Sequence, residues 1–228
     1  DGATFKAMRP QDESDHEFLA SQDNWTRPVQ IRTGPDGALY VVDMYRAVIE
    51  HTRWIPADRL AKIDPRAGDT MGRIYRIFPT GKKTRPVVDL TKHDTAQLVS
   101  AFDTPNGTVR DLVHQLLVQR ADSTAVEPLS KLAASSKHPA VRVQSLAALD
   151  GMKALSQNTL IHALHDASAQ VRRFAVRLSE KLPLNDEVLA LAGDPEFIVR
   201  YQLALSLGEW DDPRAAGRLV QLAAKYCD

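Results

Sequence analysis

The densest group of chemically capable side chains follows one predicted β-strand and comprises Asp43, Tyr45, Arg46, Glu50 and His51. An arginine can hold a ligand carboxylate through two parallel hydrogen bonds. A histidine beside it can take the proton of an alcohol as hydride leaves. Polar residues at strand ends also have structural roles. In that interpretation Asp43 caps a turn, Arg46 pairs with Glu50 and His51 is a packed or solvated loop residue. Both interpretations stay open at this point.

Three predicted strands position this cluster. Residues 29–31 and 39–42 are rich in β-forming side chains, and the Gly-Pro-Asp-Gly sequence between them is typical of a hairpin turn. A third strand is predicted at residues 72–78, after a long excursion over 47–71. A small isolated sheet is only marginally stable in water. We therefore expect the helical half of the chain, or strands outside it, to cover this sheet.

From about residue 94 the pattern is helical and repetitive. A Val-Arg pair recurs at intervals of 32, 30 and 28 residues, with its arginines at Arg110, Arg142, Arg172 and Arg200. Five positions before each valine stands a residue favoured at helix N-caps: Thr104, Ser136, Asp166 and Asp194. Each unit continues into a second, shorter apolar helix, and two helices per repeat of about thirty residues are typical of an α-solenoid. The arginines are predicted to form a ladder, each pairing with carboxylates or carbonyls of the adjacent repeat.

Composition excludes several classes of protein. Lys plus Arg equals Asp plus Glu, at 29 each, so no basic excess favours nucleic acid as a partner. The single cysteine, Cys227, excludes a disulfide framework, a zinc cluster and a Cys-x-x-Cys-His haem site within these residues. No apolar run is long enough to cross a bilayer. Phosphate-loop, Gly-x-Ser-x-Gly and His-Glu-x-x-His motifs are absent, and we predict no metal site from the residues alone.

The two halves of the sequence resemble different families. The Val-Arg units over residues 104–226 resemble short HEAT repeats of the bacterial type. The first 86 residues carry FLASQDNWTRPV at 18–29, RTGPDGALYVVDMYR at 32–46, IEHTRWIP at 49–56 and GRIYRIFP at 72–79. These motifs resemble the membrane-bound dehydrogenase family of planctomycetes and verrucomicrobia. Members of that family resemble soluble PQQ-dependent sugar dehydrogenases in a β-propeller, followed by HEAT repeats and a C-terminal c-type cytochrome.

The resemblance implies an α+β fold in two modules. An N-terminal antiparallel sheet over residues 1–86 would be a partial β-propeller blade. A linker over 87–103 would lead to an α-solenoid of about four HEAT-like repeats over 104–228. The resemblance also implies a periplasmic or extracellular location, and PQQ with calcium as the cofactor.

The function implied is that of a fragment of a quinoprotein-like dehydrogenase. It would oxidise a sugar or other alcohol and pass electrons to a cytochrome c domain, or another acceptor, outside these residues. His51 and Asp43 are the candidate catalytic residues, and Arg46 and Tyr45 are the candidate cofactor-binding residues. The piece alone is not expected to be fully active. The alternative is a non-catalytic module that binds a protein or polysaccharide on its HEAT surface.

Overall fold

The computed structural model describes residues 7–226, and Cys227 lies outside that range. These residues form two compact units, residues 7–88 and residues 89–226. A three-stranded antiparallel sheet lies in the first unit, and nine of the ten α-helices of the described residues follow it. The predicted small antiparallel sheet followed by helices is therefore confirmed. Across residues 7–226 no helix is both long and apolar enough to span a membrane.

The sheet has the order β1-β2-β3, with β1 at Pro28–Thr33, β2 at Leu39–Asp43 and β3 at Arg73–Ile77. The central strand β2 supplies the buried side chains Val41 and Asp43, whereas β1 is exposed along its whole length. Gly37 closes the hairpin turn with φ 82°, a left-handed conformation that glycine adopts without a steric penalty. The short helix α1, Ala57–Leu60, lies in the excursion between β2 and β3.

Asp36, in the same turn, joins the hairpin to β3. Its buried carboxylate accepts hydrogen bonds from the Ala38 amide at 3.0 Å, the Tyr40 hydroxyl at 3.1 Å and Nε of Arg76 at 2.8 Å. Burial acts to raise the pKa of Asp36, but these hydrogen bonds and the charge of Arg76 outweigh it and lower that pKa. The carboxylate is therefore held in its charged form as a structural tie within the strand unit.

The second unit is an array of helices that pack in pairs. The first helix of each pair contacts the first helix of the next pair, and the shorter second helices form another row. The bounds are α2 Thr95–Phe102, α3 Gly107–Arg120, α4 Val126–Ser135, α5 Pro139–Gly151, α6 Gln157–Leu164, α7 Ala169–Ser179, α8 Asp186–Ala190, α9 Phe197–Ser206 and α10 Pro213–Tyr226. Helix α2 falls within residues 87–103, which we assign to a linker from the sequence, and it buries Leu98 and Phe102.

The predicted helix caps lie two residues too early. The residues at the N-cap positions of α5, α7 and α9 are His138, Ser168 and Glu196. The predicted caps accept hydrogen bonds from the backbone amides of these residues, at 3.2 Å for Ser136, 2.7 Å for Asp166 and 2.9 Å for Asp194. A short side chain that accepts from the amide two residues onward forms a turn before the helix, so the favoured residue type marks the entry turn and not the cap.

Candidate functional site

Asp43 ends strand β2 as a fully buried carboxylate. Its Oδ1 accepts hydrogen bonds from the backbone amides of Arg27 at 2.7 Å and Tyr45 at 2.9 Å. Its Oδ2 is buried without a hydrogen-bond partner among the described residues, and Nε of Arg73 lies 3.9 Å away. The contacts of Asp43 therefore fix the chain on both sides of the strand end, and its side chain is not exposed to solvent.

Tyr45, two residues after Asp43, has a left-handed backbone conformation with φ 52°. Its hydroxyl donates to Asp23 at 2.6 Å, and the guanidinium of Arg73 lies 3.9 Å from its ring centroid. The hydrogen bond to Asp23 raises the pKa of Tyr45, because it favours the neutral phenol, and the same bond lowers the pKa of Asp23. The ring of Trp25 packs against Tyr45 at 5.8 Å between centroids. Tyr45 is therefore the centre of a small packed cluster.

Arg46 and His51 are less constrained than Asp43 and Tyr45. Nη1 of the half-buried Arg46 donates to the Tyr45 carbonyl at 3.3 Å. Arg46 and Glu50 do not form an ion pair in the part of the chain that the structure describes; the Glu50 carboxylate instead accepts from the Ile49 amide at 3.3 Å. His51 is exposed, and its Nδ1 accepts from the Arg53 amide at 3.2 Å, which caps the short 3-10 helix Thr52–Trp54.

The structure thus joins three of the four predicted site residues by hydrogen bonds. Asp43, Tyr45 and Arg46 are linked along one segment, whereas within residues 7–226 His51 forms no hydrogen bond to any of them. Two residues of the cluster were not singled out from the sequence. Arg73 could have been found from strand pairing, since it is the register partner of Asp43. Asp23 carries no periodic signal that would have placed it beside Tyr45.

A cavity of about 430 Å³ borders this cluster, and Asp23 belongs to both. Its lining combines the polar groups of Ser21, Asn24 and Thr26 with the apolar surface of Leu19 and Val41. Hydroxyl, amide and carboxylate groups on an apolar floor can orient a polyhydroxylated ligand by hydrogen bonds. The lining of this cavity therefore suits a small polar molecule.

The calcium implied by the resemblance does not fit the described residues by themselves. Across residues 7–226 no group of three or more His, Cys, Asp and Glu side chains is arranged to hold a metal ion. Calcium takes six to eight oxygen ligands, usually with several carboxylates among them. Both oxygens of Asp23 and Oδ1 of Asp43 accept hydrogen bonds within their own unit, and Oδ2 of Asp43 is buried 3.9 Å from Nε of Arg73. A calcium site would therefore need ligands from outside this range.

A second candidate site lies in the helical unit. A groove of about 590 Å³ runs over α5, α7 and α9, lined by Pro139, Ala140, Val143, Gln170, Arg173, Phe174, Arg177 and Gln202. Arg173 and Arg177 stand one turn apart on α7 and are exposed. Within the described range their side chains form no ion pair or hydrogen bond. The groove thus offers an apolar floor flanked by two unneutralised positive charges.

Comparison with known proteins adds one match. A family model described as a domain of unknown function, DUF7133, matches residues 1–81. No curated protein matches the chain. The matched residues include all three strands and the cluster around Asp43 and Tyr45, and they end before the helical unit. The strand unit is therefore similar to a domain family for which the description gives no activity.

Proposed function

We propose that this chain is part of a quinoprotein-like dehydrogenase, with the strand unit as the last portion of a β-propeller and the helices as a HEAT-like α-solenoid. One observation carries this proposal: both edge strands of the three-stranded sheet expose large apolar side chains. Val29 and Ile31 on β1 are 56% and 55% exposed, and Ile74 on β3 is 64% exposed. An exposed apolar edge strand is a pairing site. Neighbouring strands and blades would cover such surfaces in a propeller.

The sequence resemblance supports the same assignment. The dehydrogenase-like motifs occupy residues 1–86, and the domain-family match covers residues 1–81, so both comparisons single out the strand unit. In the proposed protein, a sugar or other alcohol is oxidised, and the electrons pass to a c-type cytochrome outside these residues. In this proposal the protein works in the periplasm or outside the cell, as the resemblance implies, and PQQ would supply the redox chemistry when bound.

The contacts divide the proposed roles among the four site residues. His51 remains the proposed base, because its imidazole is exposed and, among residues 7–226, accepts a hydrogen bond only from a backbone amide. Arg46 remains the proposed anion-binding residue, since within the described part of the chain its guanidinium donates only one long hydrogen bond, at 3.3 Å. We assign Asp43 and Tyr45 to positioning, because their hydrogen bonds within the unit fix the segment that presents Arg46.

The test uses the full-length product of the source gene, supplied with PQQ and calcium. Substrate-dependent dye reduction is measured with a panel of aldoses and alcohols for the wild type, His51→Ala and Arg46→Ala. Both variants are expected to lose turnover while their Tm is unchanged, and Arg53→Ala is the matched control that keeps turnover. Full turnover in the folded variants contradicts the site assignments. Absence of substrate-dependent dye reduction in the wild type contradicts the proposal that the protein is a dehydrogenase.

A second candidate function is favoured by the groove over α5, α7 and α9. Arg173 and Arg177 lie beside its apolar floor, which suits an extended protein segment with alternating apolar and acidic side chains. We therefore keep a non-catalytic protein-binding module as the alternative. A fluorescent peptide of alternating leucine and glutamate is expected to bind in low salt and to be lost with Arg173→Glu/Arg177→Glu. Equal binding of a peptide of alternating leucine and lysine contradicts this alternative.

A further inference from the structure

Two arginines of the Val-Arg pairs hold the aspartate that begins the next repeat. Nε and Nη2 of Arg142 donate to Asp166, both at 2.8 Å, and those of Arg172 donate to Asp194 at 2.7 and 2.9 Å. The arginine side chains are 12% exposed and their aspartates 5% and 3%. In both cases Nη1 also donates to a carbonyl six residues earlier in its own repeat. This confirms the predicted ladder at these two positions.

Arg200 makes the hydrogen bond to a carbonyl of its own repeat, but among the described residues no aspartate accepts from its Nε and Nη2. Its Nη1 donates to the carbonyl of Asp194 at 2.6 Å, six residues earlier, as in the other repeats. Its guanidinium lies over the ring of Tyr226, 4.2 Å from the centroid. Its Nε is buried and has no hydrogen-bond partner in the described range. A buried N–H group without an acceptor is uncommon in folded proteins, because it loses its water without replacement.

The surface around Arg200 is apolar where the preceding repeat is charged. Tyr201 and Leu205 on α9 are 50% and 57% exposed, and they lie 28 residues after Arg173 and Arg177, the corresponding exposed positions of α7. A cavity of about 270 Å³ opens beside them, lined by Phe197, Arg200, Tyr201, Ala204, Leu219, Leu222, Ala223 and Tyr226. A cluster of large exposed apolar side chains around one buried polar atom marks a surface that another element covers.

We propose that this terminal face, formed by Phe197, Arg200, Tyr201, Leu205 and Tyr226, is the packing surface for a further helical repeat of the same polypeptide. An aspartate at the start of that repeat accepts hydrogen bonds from Nε and Nη2 of Arg200. The known pairs have this direction, since each arginine holds the aspartate of the repeat that follows it. The alternative occupant is a second copy that docks head to tail. In that copy the first residue of the aspartate series is Thr104, whose hydroxyl cannot accept two guanidinium hydrogen bonds in the manner of a carboxylate.

The test extends the full chain at its C-terminus with a second copy of residues 195–226, so that Asp228 has the sequence position of Asp194. The extension is expected to raise the Tm of the helical unit by about 3 °C or more, because each added repeat contributes an interface with its neighbour. It should also slow hydrogen exchange of the α9 and α10 amides. Asp228→Asn and Arg200→Gln in the extended chain should each remove most of this gain. An extension of shuffled sequence is the matched control.

Three results of the extension experiment would overturn the proposal. The first is an extension that adds helix without changing Tm or exchange at α9 and α10. The second is an extension that stays unfolded, since the terminal face is what should order it. The third is an Asp228→Asn variant that keeps the full gain. Sedimentation of the unextended chain provides a further check: a dimer that Tyr201→Glu dissociates would identify a second copy as the occupant and contradict the proposal.

Discussion

Asp194→Asn is the most informative single substitution in the helical unit. The Asp194 carboxylate accepts two hydrogen bonds from Arg172 and one from the amide of Glu196 at 2.9 Å. Asparagine has the same shape, but it brings an NH₂ group to one of the two guanidinium donors and removes the negative charge. The substitution therefore leaves Arg172 charged, mostly buried and without its carboxylate partner.

The expected cost follows from burial and hydrogen-bond number. Breaking a buried pair from one side costs about 3–5 kcal/mol, and one charged hydrogen bond contributes about 1.5–3 kcal/mol. Because the Arg172 side chain retains 12% exposure and the asparagine carbonyl keeps one acceptor, we expect a loss of about 2–4 kcal/mol. For a unit of this size, that corresponds to a fall in Tm of about 6–15 °C.

The matched control is Asp150→Asn. Asp150 also joins two repeats, through Nζ of Lys181 at 2.9 and 2.7 Å, but the lysine side chain is 65% exposed. An exposed pair of this kind contributes about 0–1 kcal/mol, because water and salt screen it. Both variants are measured by urea and thermal unfolding, followed by helix circular dichroism. Equal losses for Asp150→Asn and Asp194→Asn would refute the reasoning, because burial would then not determine the strength of the pair.

The pH dependence supplies a second check on Asp194. Burial acts to raise its pKa, but hydrogen bonds from Arg172 and the Glu196 amide, and the charge of Arg172, outweigh burial and lower it. A carboxylate with a lowered pKa in the folded state stabilises the fold above its unfolded pKa, near 3.9. That contribution is lost as pH falls through the folded pKa. The difference in stability between wild type and Asp194→Asn should therefore be full at pH 6 and shrink below about pH 4.

Three further predictions concern the strand unit. Gly68→Ala should destabilise the unit by about 2–4 kcal/mol in a urea titration, because Gly68 has φ 91° and a Cβ would lie 2.6 Å from the Tyr45 carbonyl oxygen. The control is Gly81→Ala, which should cost only about 1 kcal/mol, because Gly81 has φ 77° but open space around it. Asp43→Ala should cost about 2–4 kcal/mol, measured by tryptophan fluorescence during unfolding, since two backbone amides lose their acceptor. The pKa of Tyr45 should lie above that of an ordinary tyrosine in an absorbance titration and fall towards it in Asp23→Asn, because the hydrogen bond to Asp23 disappears; an unchanged pKa in Asp23→Asn would contradict that assignment.

Local patterns predict much of this fold, because they report on contacts that are near in sequence or periodic. The alternating β-rich runs and the Gly-Pro-Asp-Gly turn correctly predict the hairpin of β1 and β2. The Val-Arg spacing correctly predicts that Arg142 and Arg172 hold carboxylates of the adjacent repeat. In both cases, the same residue types at a fixed offset repeat the same physical contact.

Sequence patterns do not reveal contacts that are neither periodic nor between residues near in sequence. The carboxylate of Asp36 reaches Arg76, 40 residues away, and Asp23 reaches Tyr45, 22 residues away. Nothing in the spacing of these residues predicts either pairing, because both depend on where the excursion between β2 and β3 and the segment before β1 return to the sheet. The candidate site was therefore found as a segment of sequence, whereas its hydrogen bonds required the three-dimensional structure.

The central proposal is that the strand unit is the end of a β-propeller and that, with the helical array, it belongs to one dehydrogenase. Sequencing the source gene through both ends of the 228 residues tests it most directly. Our account predicts further propeller blades upstream of Asp1, and a Cys-x-x-Cys-His haem motif downstream of Asp228. A start codon next to Asp1 and a stop codon after Asp228 would contradict it, because no propeller could then form, and the binding-module alternative would stand.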